Sequence, residues 1–186
     1  GIRGGSATVH FPIWHQEISD ILVLKNNKGT EDNRVRKLDY SIQLSKLFYE
    51  RFIQNSTISL FSPHDVPGLY DAFGSDSFDE LYTQYESDES IPKSTIGAQE
   101  LILDLLKERA ETGRIYLMNI DHCNSHSSFK DKVSMSNLCQ EITLPTDPIQ
   151  HIDGEGEIAL CILSAINVGK IYKLEDMEEL CDLSVR

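Results

Sequence analysis

Apolar residues recur every three to four positions in five stretches of the chain, a spacing typical of helices that bury one face. The predicted helices cover residues 12–24, 39–52, 77–86, 94–111 and 175–185. Pro12 stands near the start of the first helix, Asp39 is the expected cap of the second, and Gly113 is a suitable stop for the fourth.

Short apolar runs between these helices predict strands. The predicted strands cover residues 57–61, 114–121 and 157–167, with a further extended segment at 136–144. Residues 1–8 and 26–36 are predicted loops, residues 122–135 are polar, and residues 153–156 are a predicted turn. Alternating helices and apolar strands indicate one α/β domain with a parallel sheet, although the pattern does not distinguish a closed barrel from an open sheet.

The segment 136–144 carries the most distinctive side chains. In an extended chain, residues two apart project to the same face and advance by about 6–7 Å. Asn137, Cys139 and Glu141 would then line one face as an amide, a thiol and a carboxylate. By spacing alone, a half-buried strand with an inert cysteine is the more frequent explanation, and Cys161 in its apolar run also suits a core thiol.

Composition restricts the classes of function. A chain of 186 residues with a net charge of −13 is long enough for one domain, and its acidity argues against a nucleic-acid partner. No apolar run is long enough for a membrane span. The four cysteines form no C-x-x-C pair, which favours reduced thiols in the cytoplasm. A zinc site from His122, Cys123, His126 and Cys139 would lack the paired spacing of structural zinc sites.

Several motifs, in order along the chain, closely resemble the large catalytic subunit of class I aerobic ribonucleoside-diphosphate reductase, in its bacterial and phage branch. The motifs are S-N-L-C-Q-E at 136–141, A-L-C-I-L-S-A-I-N at 159–167, L-K-N-N at 24–27, L-F-S-P-H-D-V-P-G-L-Y at 60–70, T-G-R-I-Y at 112–116 and D-H-C-N at 121–124. The resemblance covers essentially all residues 1–186. It implies a single partial domain, the central segment of the family's ten-stranded α/β barrel, in which residues 136–144 form a finger loop that carries the catalytic cysteine.

The resemblance also implies roles for individual residues. Cys139 would form a transient thiyl radical that abstracts the hydrogen atom from C3′ of the ribose. Glu141 would be the general base for the 3′-hydroxyl, and Asn137 would hydrogen-bond the ribose hydroxyls. Cys161 would be one member of the reducing dithiol, whose other cysteine lies upstream of this segment in the family.

Residues 1–8 resemble the remnant of the loop that couples effector binding to substrate choice, with Arg3, Gly4 and Gly5 facing the nucleotide. The family implies reduction of ribonucleoside diphosphates to 2′-deoxyribonucleoside diphosphates for DNA synthesis, under ATP and dNTP control. The radical would come from a metal-containing small subunit, and the electrons from an external dithiol of the thioredoxin or glutaredoxin type. No metal or cofactor is expected on this segment. The parent subunit would be homodimeric, in the cytoplasm of a bacterium or a phage-infected cell.

We expect the isolated chain to be inactive, because one reducing thiol cannot complete a two-electron step and half a barrel leaves strand edges open. The alternative is a non-catalytic split or relic subunit that acts only by assembling with other reductase chains. A relative that uses a glycyl radical or cobalamin is a further alternative.

Overall fold

The structure, a computed structural model, describes residues 2 and 4–186 and contains two small sheets among helices of 4 to 15 residues. The strands are β1 (Thr8–Pro12), β2 (Asp39–Leu44), β3 (Thr57–Leu60), β4 (Ser94–Gly97) and β5 (Tyr116–Asn119). The helices are α1 (Ile18–Leu22), α2 (Lys46–Ile53), α3 (Leu69–Ala72), α4 (Phe78–Ser87), α5 (Ala98–Thr112), α6 (Ile120–Ser125) and α7 (Leu174–Val185), with 3-10 turns at Glu31–Asn33 and Val168–Lys170.

The main sheet is parallel and three-stranded, in the order β1-β2-β5. Its register pairs His10 with Ser41 and Gln43 with Met118. β3 and β4 form a separate antiparallel pair. The α/β class with a parallel sheet is therefore confirmed, whereas the barrel is not closed within the described residues.

The two faces of β2 differ in chemistry. Tyr40, Ile42 and Leu44 project to one face and belong to the apolar core. Ser41 and Gln43 project to the other face, and they are also buried. Side chains of paired residues in neighbouring strands share a face, so His10, which pairs with Ser41, and Thr8, which pairs with Asp39, extend this polar face into β1.

An aromatic cluster centred on Phe48 forms the middle of the core. The Phe48 ring lies 6.2 Å from that of Phe73, 6.0 Å from that of Phe78 and 5.6 Å from that of Tyr82, centroid to centroid. The buried Tyr82 hydroxyl donates to the Ser59 carbonyl at 2.7 Å and accepts from the Ser59 amide at 2.9 Å. This exchange ties α4 to β3 and satisfies a phenol that would otherwise be costly to bury.

Two of the predicted helices are wrong at their starts. Residues 12–24 contain only the short helix α1, and Pro12 ends β1 instead of opening a helix. Residues 39–44 form the central strand, and the helix that follows begins at Lys46. Parallel pairing on both edges of β2 outweighs local helix propensity here. Pro12 fits because, among the described strands, β1 lies at the edge of its sheet and position 12 needs no donor.

The other predictions between residues 57 and 121 are largely confirmed. The strand over 57–61 and the helix over 77–86 are β3 and α4, and the strand within 114–121 is β5. The helix predicted over 94–111 begins only at Ala98, because residues 94–97 pair with β3 as β4. Gly113 ends α5 with a φ of +64°, as expected for a left-handed stop.

The C-terminal third has little regular structure before α7, which confirms the helix predicted over 175–185. The strand predicted over 157–167 is wrong: within the described residues it forms no ladder beyond one bridge between Asp147 and Glu157. The apolar side chains of residues 158, 160, 162 and 163 are between 71% and 95% exposed. The turn predicted at 153–156 lies at 151–154, closed by the Gly154 amide on the His151 carbonyl. Among the described helices, none combines the length and apolarity that a membrane crossing needs.

Candidate functional site

Residues 136–142, here called the thiol loop, fold into a compact turn around Cys139. The Asn137 amide donates to the Ile142 carbonyl at 3.3 Å, and the Gln140 amide donates to the Asn137 carbonyl at 3.2 Å. Gln140 has a φ of +70°, a left-handed conformation that reverses the chain. The prediction of an extended segment with Asn137, Cys139 and Glu141 in one row is therefore wrong.

The Asn137 side chain closes this loop. Its Oδ1 atom accepts a hydrogen bond from the Ile142 amide at 3.0 Å and lies 3.2 Å from the Ser136 hydroxyl. That hydroxyl donates to the Ile142 carbonyl at 2.6 Å. Cys139 and Glu141, by contrast, are exposed, and the Cys139 thiol is free. The loop thus uses Asn137 to hold its shape and presents the thiol and the carboxylate outward.

The polar face of the main sheet supports residues 134–138, a segment that leads into the thiol loop and forms its first half. Three side chains of β1 and β2 donate to alternate carbonyl oxygens of this segment. The bonds join Thr8 Oγ1 to the Leu138 oxygen at 2.8 Å, His10 Nε2 to the Ser136 oxygen at 3.2 Å, and Gln43 Nε2 to the Ser134 oxygen at 2.7 Å. One sheet face binds all three of these carbonyl oxygens. The thiol loop is therefore anchored on the sheet and not merely tethered to its neighbours in sequence.

The motifs do not point to these three supporting residues. A signal for them exists, because polar residues alternate with apolar ones at Thr8 and His10 and again at Ser41 and Gln43. The second alternation was hidden by the prediction of a helix over residues 39–52.

His10 contacts the loop through both ring nitrogens. Besides the bond to Ser136, Nδ1 lies 3.4 Å from Nε2 of Gln140, the residue that follows Cys139. Burial lowers the pKa of the His10 imidazole below its ordinary value, and the hydrogen bond to the Ser136 carbonyl opposes that shift. The neutral ring is the favoured form near pH 7.

Among the described residues, Cys161 forms neither a disulfide nor a hydrogen bond with the thiol loop. Cys161 is exposed, and it lies in the segment with no ladder partner among the described residues. Arg3 lies outside the described residues. Gly4 and Gly5 are exposed, and a Cβ atom added to either would meet no atom within 4 Å, so packing within the described chain does not require glycine there.

A cleft of about 1160 Å³ lies beside the start of the supported segment. Gln43, Tyr70, Lys132, Ser134 and Ile158 are among the residues that line it, but no residue of the thiol loop does. Burial lowers the pKa of Lys132 and raises that of Tyr70. Among the residues described, no group of three or more His, Cys, Asp or Glu side chains is arranged to hold a metal ion, which includes the four residues of the zinc alternative.

Comparison with known proteins identifies the family. The model of the ribonucleotide reductase barrel domain matches residues 1–186. Ribonucleoside-diphosphate reductase subunit alpha of Haemophilus influenzae is 59% identical over 192 residues, which cover 100% of this chain and 25% of that protein. Subunit alpha of ribonucleoside-diphosphate reductase 1 from Escherichia coli is 54% identical over 154 residues, covering 80% of this chain and 20% of that protein.

The subunit alpha of enterobacteria phage T4 is 45% identical over 194 residues, with 100% of this chain and 26% of the phage protein covered. The chain therefore spans about a quarter of the length of the curated relatives that it matches along its whole length. Since the family model matches residues 1–186 and the subunits of Haemophilus influenzae and phage T4 align with the whole of this chain, the chain belongs to the ribonucleotide reductase family and corresponds to a segment of its barrel domain.

Proposed function

We propose that this chain is the central catalytic segment of a ribonucleoside-diphosphate reductase large subunit. The observation that supports the proposal most is the thiol loop itself, an exposed free cysteine in a closed turn that is anchored on a parallel sheet. The parent enzyme would convert ribonucleoside diphosphates to 2′-deoxyribonucleoside diphosphates for DNA synthesis.

Cys139 is the proposed radical site. As a thiyl radical it would take the hydrogen atom from C3′ of the ribose, and Glu141 would remove the proton of the 3′-hydroxyl. The 2′-hydroxyl would then leave as water after it takes a proton from a thiol of the reducing pair, and Cys139 would return the hydrogen atom to C3′ once C2′ is reduced. The Asn137 Oδ1 atom is engaged in loop closure, so its Nδ2 amino group is the part of this side chain available to the ribose hydroxyls.

Cys161 is the proposed reducing thiol. Together with a second cysteine of the parent subunit, it would supply two electrons and become a disulfide, which an external dithiol of the thioredoxin or glutaredoxin type would reduce. Cys161 would have to approach Cys139 once the rest of the subunit covers residues 157–163. The exposure of four apolar side chains in that segment favours such a contact.

The other partners of the parent subunit, and its effector loop, are proposed by analogy with the family. A metal-containing small subunit would generate the radical, and the parent large subunit would be a homodimer in the cytoplasm. Arg3, Gly4 and Gly5 would form part of the loop that relays the bound ATP or dNTP effector to the substrate base, where glycine lets the backbone approach a nucleotide closely.

The proposal is tested in the intact large subunit that contains this segment, assayed with its small subunit, CDP and a dithiol reductant. We expect Cys139→Ser to abolish reduction of CDP, because a serine hydroxyl cannot replace the thiol as a hydrogen-atom carrier. Cys181→Ser is the matched control: Cys181 lies exposed on α7, and its replacement should leave turnover within about twofold of wild type.

Cys161→Ser should also stop multiple turnovers while binding of the small subunit persists. CDP reduction by Cys139→Ser at a rate near wild type would contradict the proposal. An inactive wild-type subunit that still assembles with the small subunit would favour the alternative of a relic chain whose role is assembly.

A further inference from the structure

The imidazole of His10 contacts two residues of the thiol loop, one before and one after Cys139 in sequence. Its Nε2 atom is 3.2 Å from the Ser136 carbonyl oxygen, and its Nδ1 atom is 3.4 Å from Nε2 of Gln140. Because a carbonyl oxygen only accepts, the ring proton must be on Nε2. Nδ1 is then the acceptor for the Gln140 amide group.

Gln140 is the residue through which this contact reaches the thiol. A peptide bond joins Gln140 directly to Cys139. The φ of +70° at Gln140 is a conformation that non-glycine residues adopt only when surrounding contacts hold them there. The backbone bond from the Gln140 amide to the Asn137 carbonyl holds it on one side, and His10 holds its side chain on the other. A change at His10 therefore acts on the residue next to the thiol.

His10 is itself fixed by the sheet. It lies in β1 and pairs in register with Ser41 of the buried central strand, so its Cα position is set by backbone hydrogen bonds and not by the loop. Its lowered pKa keeps the ring neutral near pH 7, which is the form that matches both partners. The direction of support runs from the sheet to the loop.

We propose that His10 is a positioning residue for the reductase reaction: bonded to Ser136 and Gln140, it sets the orientation of the Cys139 thiol. This inference rests on the proposed function for its effect on turnover. Its effect on the loop does not depend on that function.

The test compares His10→Phe, Gln140→Leu and their combination in the intact large subunit, with His126→Phe as a matched control at an exposed histidine of the α6 end. We expect His10→Phe to lower kcat about tenfold or more while KM for CDP stays within about twofold, because misplacing a reacting group costs rate more than binding. The double variant should be no slower than the slower single variant, since both changes remove one shared contact.

A conservative variant separates positioning from simple packing. The amide of His10→Gln offers a donor nitrogen and an acceptor oxygen where the neutral imidazole offers a donor and an acceptor nitrogen, and it should restore kcat to within about threefold of wild type. The rate of Cys139 alkylation, measured by mass spectrometry of the peptides relative to Cys181, should change at least about threefold in His10→Phe and in Gln140→Leu, and return in His10→Gln.

The proposal is overturned if His10→Phe leaves both kcat and Cys139 alkylation within twofold of wild type, or if the effects of the two single variants multiply. Should His10→Phe fail to fold, Gln140→Leu tests the same contact without altering β1. If the wild-type subunit reduces no CDP, the proposed function fails, while the alkylation rates still decide whether His10 orients the loop.

Discussion

Asn137 offers a direct way to separate loop closure from ligand binding. Its Oδ1 atom accepts from the Ile142 amide at 3.0 Å, which closes the turn around Cys139. Asn137→Ala removes this acceptor, whereas Asn137→Asp keeps an acceptor oxygen at the same place, replaces the Nδ2 amino group by a second oxygen and adds a negative charge. The two variants therefore disturb different functions of one side chain.

The expected size of the effect follows from one hydrogen bond. A single bond of this kind contributes about 0.5–1.5 kcal/mol net. The free energy of opening the thiol loop should therefore be about 1 kcal/mol lower in Asn137→Ala than in wild type. This corresponds to roughly fivefold faster amide hydrogen exchange at Ile142. Exchange in Asn137→Asp should stay within about twofold of wild type, while its kcat/KM for CDP falls because the ribose loses a donor.

Hydrogen exchange with single-residue resolution by mass spectrometry measures this in the intact subunit. The amide of Ala98, which donates to the Ser56 carbonyl at 2.9 Å in another part of the fold, is the internal reference. Unchanged exchange at Ile142 in Asn137→Ala would refute the loop-closing role. Equal opening in both variants would show that shape, and not the Oδ1 acceptor, closes the turn.

Three further outcomes are expected. Gly74→Ala should lower the free energy of unfolding by about 1–3 kcal/mol in urea titrations, because Gly74 has a φ of +89° and a Cβ atom there would lie 2.7 Å from Ile120 Cγ1. Thr8→Val keeps the side-chain shape but removes the hydroxyl that donates to the Leu138 carbonyl at 2.8 Å, so exchange in the thiol loop should accelerate by a few-fold. The pKa of His10 is lowered in the folded state, so as the pH falls from 7 to 5 the unfolded state binds a proton at His10 before the folded state does. Wild type should therefore lose more stability than His10→Phe over that interval. Urea titrations at both pH values measure the difference.

The extent to which the sequence predicts the fold is clearest at β2. Residues 39–44 alternate between polar and apolar side chains, the period of a strand, but the apolar residues that follow at 47, 48 and 52 have the period of a helix. No proline or glycine separates the two patterns, so the sequence predicts a helix that begins at residue 39 and includes the residues of the strand. Where a left-handed glycine marks a boundary, as at Gly113, the prediction is confirmed.

The sequence predicts which residues belong to the candidate site, but it does not predict their geometry. The motif at 136–141 is visible in the sequence and points to Cys139, whereas the shape of the thiol loop depends on partners far along the chain. Thr8 lies 130 residues before Leu138, and His10 lies 126 residues before Ser136. Local periodicity carries no information about contacts at that separation. For this reason the sequence predicts an extended segment where the structure has a turn.

The apolar segment at 157–163 gives the opposite lesson. Its composition predicts a buried strand, yet the described part of the chain offers it no ladder and leaves its side chains exposed. Local pattern specifies what a segment can become, and burial requires a surface to pack against.

The most direct test of the central claim exchanges the matching quarter of the Haemophilus influenzae subunit alpha for this chain and measures CDP reduction with the cognate small subunit. At 59% identity the segment should fit its new surroundings, and we predict a chimera that reduces CDP and loses that activity on Cys139→Ser while still binding the small subunit. A chimera that assembles with the small subunit but reduces no CDP, or one that remains active after Cys139→Ser, would contradict the account.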